Sequence, residues 1–326
     1  MAKILKKMVH NLKGKYNNYT KNIARTERGY GKKRISLRIS LVAWGLLLPY
    51  VLWNIVFWLY PNAASIPLAF FNTSLTGGHA FFVGFGNFLD FFKREEFRMI
   101  ILNMFRFGII YIPLSIVISM ILALMLNSVK NIVLKGFLVI AFLLPNLTGS
   151  VAYSVIFQKI FSPYSFITKA ISWISGTDIG WFTDVHLVLI PIAIMITWKS
   201  SGYYALILMA NISSIPASYH EAARMDGAGP FTRFWKITLP MINPTFVIIV
   251  IFATTTFFSI YAEPLLLTGG GGPMLASYTF KLEAVHQIYD RMALGYGAAV
   301  SLVSSLISYT LVILIRKLVG RDIENG

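Results

Sequence analysis

Two cations lie inside long apolar runs of this sequence, where few other residues could do chemistry. Lys199 belongs to the stretch WKSSGYY, and Arg106 belongs to an earlier run. At 1.5 Å per residue, they lie about 20 Å and about 12 Å inside a helix, where lipid exposure costs about 2.5 to 3.5 kcal/mol. They should therefore face protein or water. A cation so placed can match a ligand carboxylate or phosphate through charge-assisted hydrogen bonds, whereas a neutral ligand needs none.

The composition places these cations in a membrane protein. Of 326 residues, 56% are hydrophobic and only 13% are charged, with a mean hydropathy of +0.66. Six runs reach the length of roughly 20 apolar residues that crosses a bilayer, namely 39–60, 99–127, 136–157, 185–210, 241–262 and 293–315. Since backbone groups must be bonded within each span in lipid, we expect an all-α integral membrane protein with six transmembrane helices.

The distribution of Lys and Arg predicts the orientation. Residues 1–38 hold twelve of them against a single acid, Glu27, so both the N-terminus and the C-terminus are expected in the cytoplasm. We divide the chain into a basic cytoplasmic segment 1–38, a six-helix transmembrane domain 39–316 with a cytoplasmic loop at 211–240, and a cytoplasmic tail 317–326. The basic segment either lies on anionic membrane lipid as a helix or only sets the topology, and its apolar stripe is Ile4, Leu5, Met8, Val9 and Leu12.

The cytoplasmic loop contains the charged stretch YHEAARMDGAGPFTRFWKITLP at residues 219–240. Strong helix formers open it, Gly227 ends that first helix, and Pro230 can begin a second one. In the second helix an apolar stripe could pack back on the spans, formed by Phe231, Phe234 and Trp235. The pattern predicts a helix-turn-helix whose first half protrudes.

The spacing of Glu221-Ala222-Ala223, Gly227 and Leu239-Pro240 resembles the EAA loop of permease subunits in binding-protein-dependent type I ABC importers. The resemblance implies a type I ABC importer permease fold and a coupling helix that docks on a separate dimer of ATP-binding subunits. The implied coupling residues are Glu221, Ala222, Ala223, Arg224, Asp226, Gly227, Leu239 and Pro240. ATP and Mg would be bound by that partner, because this chain has no G-x-x-x-x-G-K-[ST] phosphate loop and is expected to bind no cofactor itself.

Other stretches resemble the carbohydrate-uptake branch of that family, near the maltose and glycerol-phosphate permeases. They are residues 83–88 (VGFGNF), Leu144-Pro145 and residues 267–273 (LTGGGGP). The resemblance implies a multi-pass protein of the bacterial cytoplasmic membrane with a second homologous permease subunit and an extracytoplasmic solute-binding protein. It also implies that one loop probes that binding protein, at Gly269, Gly270, Gly271, Gly272 and Pro273. Taken alone, those glycines predict only a flexible connector.

The same resemblance implies that an oligosaccharide passes along the fourth and fifth runs. The residues that it and the two cations indicate are Arg106, Trp198, Lys199, Ser200, Tyr203, Thr255, Thr256, Ser259, Tyr261 and Glu263. Hydroxyl groups and aromatic rings suit sugars, which need donors and acceptors around apolar ring faces. The alternative is that the Ser and Thr side chains bond their own helices and the aromatic rings form core or interface.

The two cations favour an acidic saccharide such as alginate or another uronate oligomer. Two alternatives remain open: a permease for a neutral sugar or for glycerol phosphate, and a Lys199 that pairs with Glu263 or with an acid of the partner permease.

Functions of other classes fit the sequence less well. A secondary transporter or channel would need acids inside the spans, yet the six runs contain neither Asp nor Glu. A membrane enzyme would need clustered carboxylates or His, but the five His residues are scattered without metal-ligand spacing, and Cys is absent. The net charge of +16 lies between apolar runs rather than on one surface. We therefore expect no catalytic residues, no metal site and no nucleic-acid partner.

Overall fold

The computed structural model describes residues 37–77 and 80–319. The apolar stripe predicted near the N-terminus and most of the predicted tail 317–326 lie outside these residues. The described residues up to Ala63 and those from Ala64 onward form two compact units.

The described part of the first unit is helical. Helix α1 spans Leu37–Asn54 and is followed by a π-helical turn, Ile55–Leu59, and by α2, Tyr60–Leu68. Its large apolar side chains are exposed, Trp44 and Trp58 each to 64%. A surface this apolar needs lipid or another protein around it.

The second unit is a helical bundle with one short antiparallel ribbon, in which β1 (Phe71–Asn72) pairs with β2 (Phe81–Phe82). The helices are α3 (Gly86–Lys93), α4 (Glu95–Ser128), α5 (Ile132–Leu147), α6 (Ser150–Ile160), α7 (Phe166–Ser175), α8 (Leu189–Ser214), α9 (Ala217–Met225), α10 (Pro230–Arg233), α11 (Leu239–Met241), α12 (Asn243–Ser259), α13 (Ala262–Thr268), α14 (Phe280–Tyr289) and α15 (Leu294–Val319). A π-helical turn, Phe234–Thr238, joins α10 to α11, and a 3₁₀ turn, Pro273–Leu275, precedes α14.

Among the described residues, four helices are long and apolar enough to cross a membrane: Trp44–Leu68, Glu95–Ser128, Leu189–Ser214 and Leu294–Leu318. The run predicted at 136–157 is not a straight span, because α5 and α6 meet at 97°. The run predicted at 241–262 contains the 17-residue helix α12, which the preceding segment Pro230–Met241 meets at 69°. Pro145 and extended backbone at Thr148 and Gly149 end α5 after 16 residues, about 24 Å of helix, which is less than a bilayer core.

The core of the bundle forms around α4 and α8. Phe107 and Tyr111 of α4 and Ile192 and Met195 of α8 are buried there. Helix α5 also packs closely on α8, because Gly202 lies against its backbone: a Cβ at Gly202 would stand 1.8 Å from the Phe142 carbonyl oxygen. Only glycine allows this approach. The close packing fixes the position of α8, which carries Lys199.

Candidate substrate cavity and coupling hairpin

A cavity of about 420 Å³ opens between α8 and α12. Seven of the residues predicted for a substrate pathway line it: Lys199, Ser200, Tyr203, Thr255, Thr256, Ser259 and Glu263. The remaining lining residues are Asn146, Ile196, Tyr204, Phe252 and Ile260. We call this space the substrate cavity. Its mixture of hydroxyls, rings and two opposite charges is typical of a polar ligand site.

Lys199 has partners within the protein. Its Nζ donates a hydrogen bond to the Tyr153 hydroxyl at 3.0 Å and lies 3.8 Å from Glu263 Oε1. The Tyr153 hydroxyl in turn donates to Glu263 Oε1. Glu263 is buried, whereas the Lys199 side chain keeps 31% of its surface exposed. The expected alternative, pairing of Lys199 with Glu263, is therefore present in the structure, and it ties α6, α8 and α13 together.

The hydroxyls of the substrate cavity bond largely to their own helices. Thr255 and Thr256 both donate to the Phe252 carbonyl at 2.9 Å, and Ser259 donates to the Thr255 carbonyl at 3.1 Å. Ser200 donates to the Ile196 carbonyl at 2.8 Å. Each hydroxyl oxygen still has a lone pair that can accept from a ligand. These hydroxyls can therefore bond the carbonyls of their own helices and a ligand at the same time.

Three predicted pathway residues do not line the substrate cavity. Trp198 turns to another face, where it packs on Phe157 with ring centroids 5.5 Å apart, because neighbouring residues of a helix point about 100° apart. Tyr261 lies under Lys281, whose Nζ is 4.9 Å from its ring centroid. Arg106 on α4 is partly exposed and does not line the substrate cavity.

The sequence interpretation missed Tyr153 and Asn146. Tyr153 lies in what looked like a plain apolar span, and only the α5–α6 break turns it toward Lys199. The signal for Asn146 was local: it follows Pro145 in the stretch LPNLTGS, where polar and helix-breaking residues interrupt the apolar run.

The predicted helix-turn-helix is present as the α9–α11 hairpin, Ala217–Met241. Helix α9 has no buried residue. It ends at Met225, and Gly227 follows with a φ of +78°, which favours glycine. The Ala228 amide donates to the Ala223 carbonyl at 2.8 Å. Glu221, Ala222, Arg224 and Asp226 are exposed, and Ala223 is half-buried. This exposed helix end is available to another protein.

The second half of the hairpin joins the bundle less broadly than the aromatic stripe predicts. Phe234 and Leu239 pack on a cluster that we call the hairpin core, whereas Phe231 and Trp235 stay 75% and 52% exposed. The π-helical turn from Phe234 breaks the 3.6-residue period on which the stripe depends. The hairpin core itself consists of Met120, Ala123, Tyr204, Ala205, Leu208, Ile212, Ile242 and Ile249.

The glycine loop, Gly269–Gly272, follows α13 near the opposite end of α8. All four glycines have positive φ, from +68° to +126°. A Cβ at Gly272 would lie 3.2 Å from Val188 Cγ2, just before α8 begins. The predicted flexible turn is thus a folded one, and the Ser277 amide donates to the Gly271 carbonyl at 2.8 Å.

Asn103 of α4 anchors the segment after the glycine loop. Its Nδ2 donates to the Leu275 and Tyr278 carbonyls at 2.6 and 3.1 Å. Met274, between the loop and this anchor, has a φ of +51° and is 78% exposed. The Tyr278 hydroxyl donates to buried Glu283 at 2.7 Å. Burial and this hydrogen bond raise the pKa of the Tyr278 phenol above its usual range, so it stays a donor. The backbone on both sides of the exposed Met274 is therefore held by hydrogen bonds.

Metal binding finds no support in the described residues, which bring no three His, Asp or Glu side chains into a site for an ion. The charged groups of the substrate cavity, Lys199 and Glu263, satisfy one another. The lining of the substrate cavity is polar enough for a hydroxyl-rich ligand, and it does not group acids and bases as a hydrolytic site does.

Several known proteins are similar to this chain. The chain is 30% identical over 277 residues to the sulfoquinovosyl glycerol transport system permease protein SmoG of Agrobacterium fabrum, covering 84% of this chain and 89% of the relative. It is 30% identical over 264 residues to the lactose transport system permease protein LacF of Rhizobium radiobacter, covering 80% and 88%.

The fold is shared with a solved structure of a bacterial ABC transporter involved in the import of the acidic polysaccharide alginate. The TM-score is 0.71 at 19% identity, over 87% of this chain and 97% of that one. Residues 115–325 match the family of binding-protein-dependent transport system inner membrane components. They include α8, the hairpin and α12. This chain belongs to that family.

Proposed function

We propose that this chain is a permease subunit of an ATP-driven importer that moves an oligosaccharide delivered by an extracytoplasmic binding protein. Its partners would be a second homologous permease and a dimer of ATP-binding subunits, which would hold ATP and Mg. The observation that carries this proposal is α9, a helix without a buried residue whose hairpin is nonetheless packed into the bundle. An exposed helix whose hairpin packs on the bundle suits the transmission of force between subunits.

The hairpin core gives that force a route to the substrate cavity. It contains Ile242 at the start of α12 and Tyr204 of α8, and both helices line the cavity. A displacement of α9 would therefore tilt α8 and α12 together, since packed cores shift between discrete arrangements rather than deform continuously. Alternating access would follow from ATP-driven closure of the partner.

The proposed topology places α9 in the cytoplasm and the glycine loop outside the bacterial cytoplasmic membrane. Each bent helix pair then counts as one crossing, which gives six, with both termini inside. The Lys and Arg distribution supports this orientation. The exposed Met274 beside the glycine loop would meet the binding protein.

An acidic saccharide such as a uronate oligomer is the proposed cargo. Lys199 has exposed surface in the substrate cavity, whereas its counter-ion Glu263 is buried. A ligand carboxylate could approach the open side of the ammonium group and add a charge-assisted hydrogen bond. The transporter of similar fold that imports the acidic polysaccharide alginate supports the same class.

A neutral sugar is the second candidate, and the ion pair itself favours it. Glu263 already balances the charge of Lys199 at 3.8 Å, so the substrate cavity has no uncompensated cation. The lactose permease among the relatives supports this class.

Charge reversal on α9 tests the proposed function. Glu221→Lys should abolish import, because it changes the exposed helix that would dock on the ATPase while leaving the core untouched. Import by the assembled complex and co-purification of the ATP-binding subunit are the measurements. Thr232→Lys, on the exposed second half of the same hairpin, is the matched control and should import normally. Normal import and normal ATPase association by Glu221→Lys would refute the assignment.

Removal of Lys199 separates the two cargo classes. Lys199→Ala should lower import of uronate oligomers by about tenfold or more, since a hydrogen bond to a charged group contributes about 1.5 to 3 kcal/mol. Import of neutral oligosaccharides should change little in the double variant Lys199→Ala/Glu263→Gln, which leaves no unpaired buried charge. Lys169→Ala, an exposed cation elsewhere, is the control. Uronate import at the normal rate by Lys199→Ala would exclude the acidic class.

A further inference from the structure

A second cavity, which we call the α12–α15 groove, lies between those two helices and has a volume of about 560 Å³. Its hydroxyl lining comes from Thr255 and Ser259 of α12 and from four residues of α15: Ser304, Ser305, Ser308 and Tyr309. Thr255 and Ser259 also line the substrate cavity. The two spaces therefore adjoin along α12.

Three hydroxyls that line this groove, those of Ser304, Ser308 and Tyr309, make no hydrogen bond within residues 37–77 and 80–319. Ser304 is 93% buried, yet its Oγ is not one of the enclosed atoms without a partner, so this hydroxyl keeps access to the groove. By contrast, the α15 hydroxyls of residues 301, 305 and 310 each donate to the carbonyl four residues earlier at 2.8 to 2.9 Å. Ser304 and Ser308 are thus free to bond a ligand.

The chemistry of the α12–α15 groove differs from that of the substrate cavity. Its lining contains hydroxyls and apolar side chains such as Phe252 and Tyr309 but no charged group. The Tyr309 ring is 68% exposed and offers a face for stacking. Lipid chains would leave Ser304 and Ser308 unpaired, whereas a sugar ring satisfies hydroxyls at its edge and apolar surfaces at its faces.

We propose that the α12–α15 groove is a second saccharide subsite, which takes an uncharged, hydroxyl-rich unit of the oligosaccharide while another unit occupies the substrate cavity. This inference rests on the proposed function. Ser304 and Ser308 stand about 6 Å apart along the helix axis, so they contact successive positions of a sugar chain. The subsite then selects saccharides by their length, whereas Lys199 selects them by their charge.

Import of saccharides of graded length tests the subsite. The complete transporter, with both permeases, its ATPase and its binding protein, is placed in proteoliposomes and given maltooligosaccharides and uronate oligomers of two to five units. The variant Ser308→Ala/Tyr309→Leu should lower the uptake of the five-unit sugar relative to the two-unit sugar by about fivefold, because about 1 kcal/mol of contact is lost. Ser301→Ala and Thr310→Ala, whose hydroxyls bond their own helix, should leave this ratio unchanged.

A variant with a larger side chain in the α12–α15 groove tests the subsite more strongly. Ser308→Leu should block the five-unit sugar, spare the two-unit sugar and leave the subunits together on gel filtration. An unchanged length ratio in both variants would overturn the subsite. So would an equal loss at every length together with loss of the second permease, because the groove would then be a subunit interface. If the unaltered complex imports neither sugar series, the proposed function itself fails.

Discussion

At the scale of residues, the substrate cavity depends on one buried acid and the two groups that bond it. Glu263 accepts from the Tyr153 hydroxyl and faces Lys199 at 3.8 Å. An unpaired carboxylate in so apolar a setting would be strongly destabilising. Tyr153 therefore matters as much as the cation, although it has no charge: it accepts from Lys199 and donates to Glu263 at once.

Removal of the Tyr153 hydroxyl should weaken the bundle. Tyr153→Phe leaves Glu263 with the long contact to Lys199 alone, so we expect a loss of about 1 to 3 kcal/mol in stability. Thermal unfolding of the purified complex in detergent should show a lower midpoint. Tyr164→Phe, at a ring that is 86% exposed, should leave the midpoint unchanged. Equal midpoints for both variants would show that the Tyr153 hydroxyl contributes nothing.

At the scale of elements, the decisive feature is the packing of α8 against the broken pair α5 and α6. The break between α5 and α6 turns Tyr153 toward Lys199, and Gly202 lets α8 touch the backbone of α5. The two contacts lie about one helical turn apart on α8. A small displacement of α8 would therefore separate Lys199 from its partners and reshape the cavity.

A methyl group at Gly202 tests this packing. In Gly202→Ala the new Cβ would stand 1.8 Å from the Phe142 carbonyl oxygen, so α5 and α8 must move apart. We expect a lower unfolding temperature and little import, since overpacking costs about 1 to 3 kcal/mol or more. Gly136→Ala, also in α5 but with no atom within 4 Å of its new Cβ, should be neutral or slightly stabilising. Loss of function in both variants would argue against a specific close contact.

At the scale of the whole molecule, the hairpin and the glycine loop lie at opposite ends of α8 and α12. The α9–α11 hairpin follows the end of α8 and precedes α12, whereas the glycine loop packs near Val188, where α8 begins. The bundle between them holds the substrate cavity. This separation suits a protein that receives force on one side and substrate on the other.

Cysteine labelling tests that arrangement in intact cells. The chain has no Cys, so single substitutions can be labelled cleanly with a membrane-impermeant maleimide. Met274→Cys and Met225→Cys replace side chains that are 78% and 88% exposed. Met274→Cys should react from outside, and Met225→Cys only after the membrane is opened. Reaction of both from the same side would contradict the proposed topology.

The sequence by itself determined the membrane class, the apolar runs, the hairpin and most of the cavity residues. Hydropathy and residue spacing are properties of a short stretch of sequence. A run such as 99–127 or the glycine turn after α9 can therefore be predicted without knowing which other helices pack against it. Thr255, Ser259 and Lys199 stood out because polar groups are rare in such runs.

Only the tertiary structure decided which of these residues meet. The 97° break that brings Tyr153 to Lys199 depends on how the helices pack, and so does the contact of Trp198 with Phe157. So does the place of Ser304 in the lining of the α12–α15 groove. The helical period fixes where a side chain points on its own helix. Contacts between distant runs depend instead on the angles at which helices cross and on close approaches such as that of Gly202. No local sequence pattern encodes these.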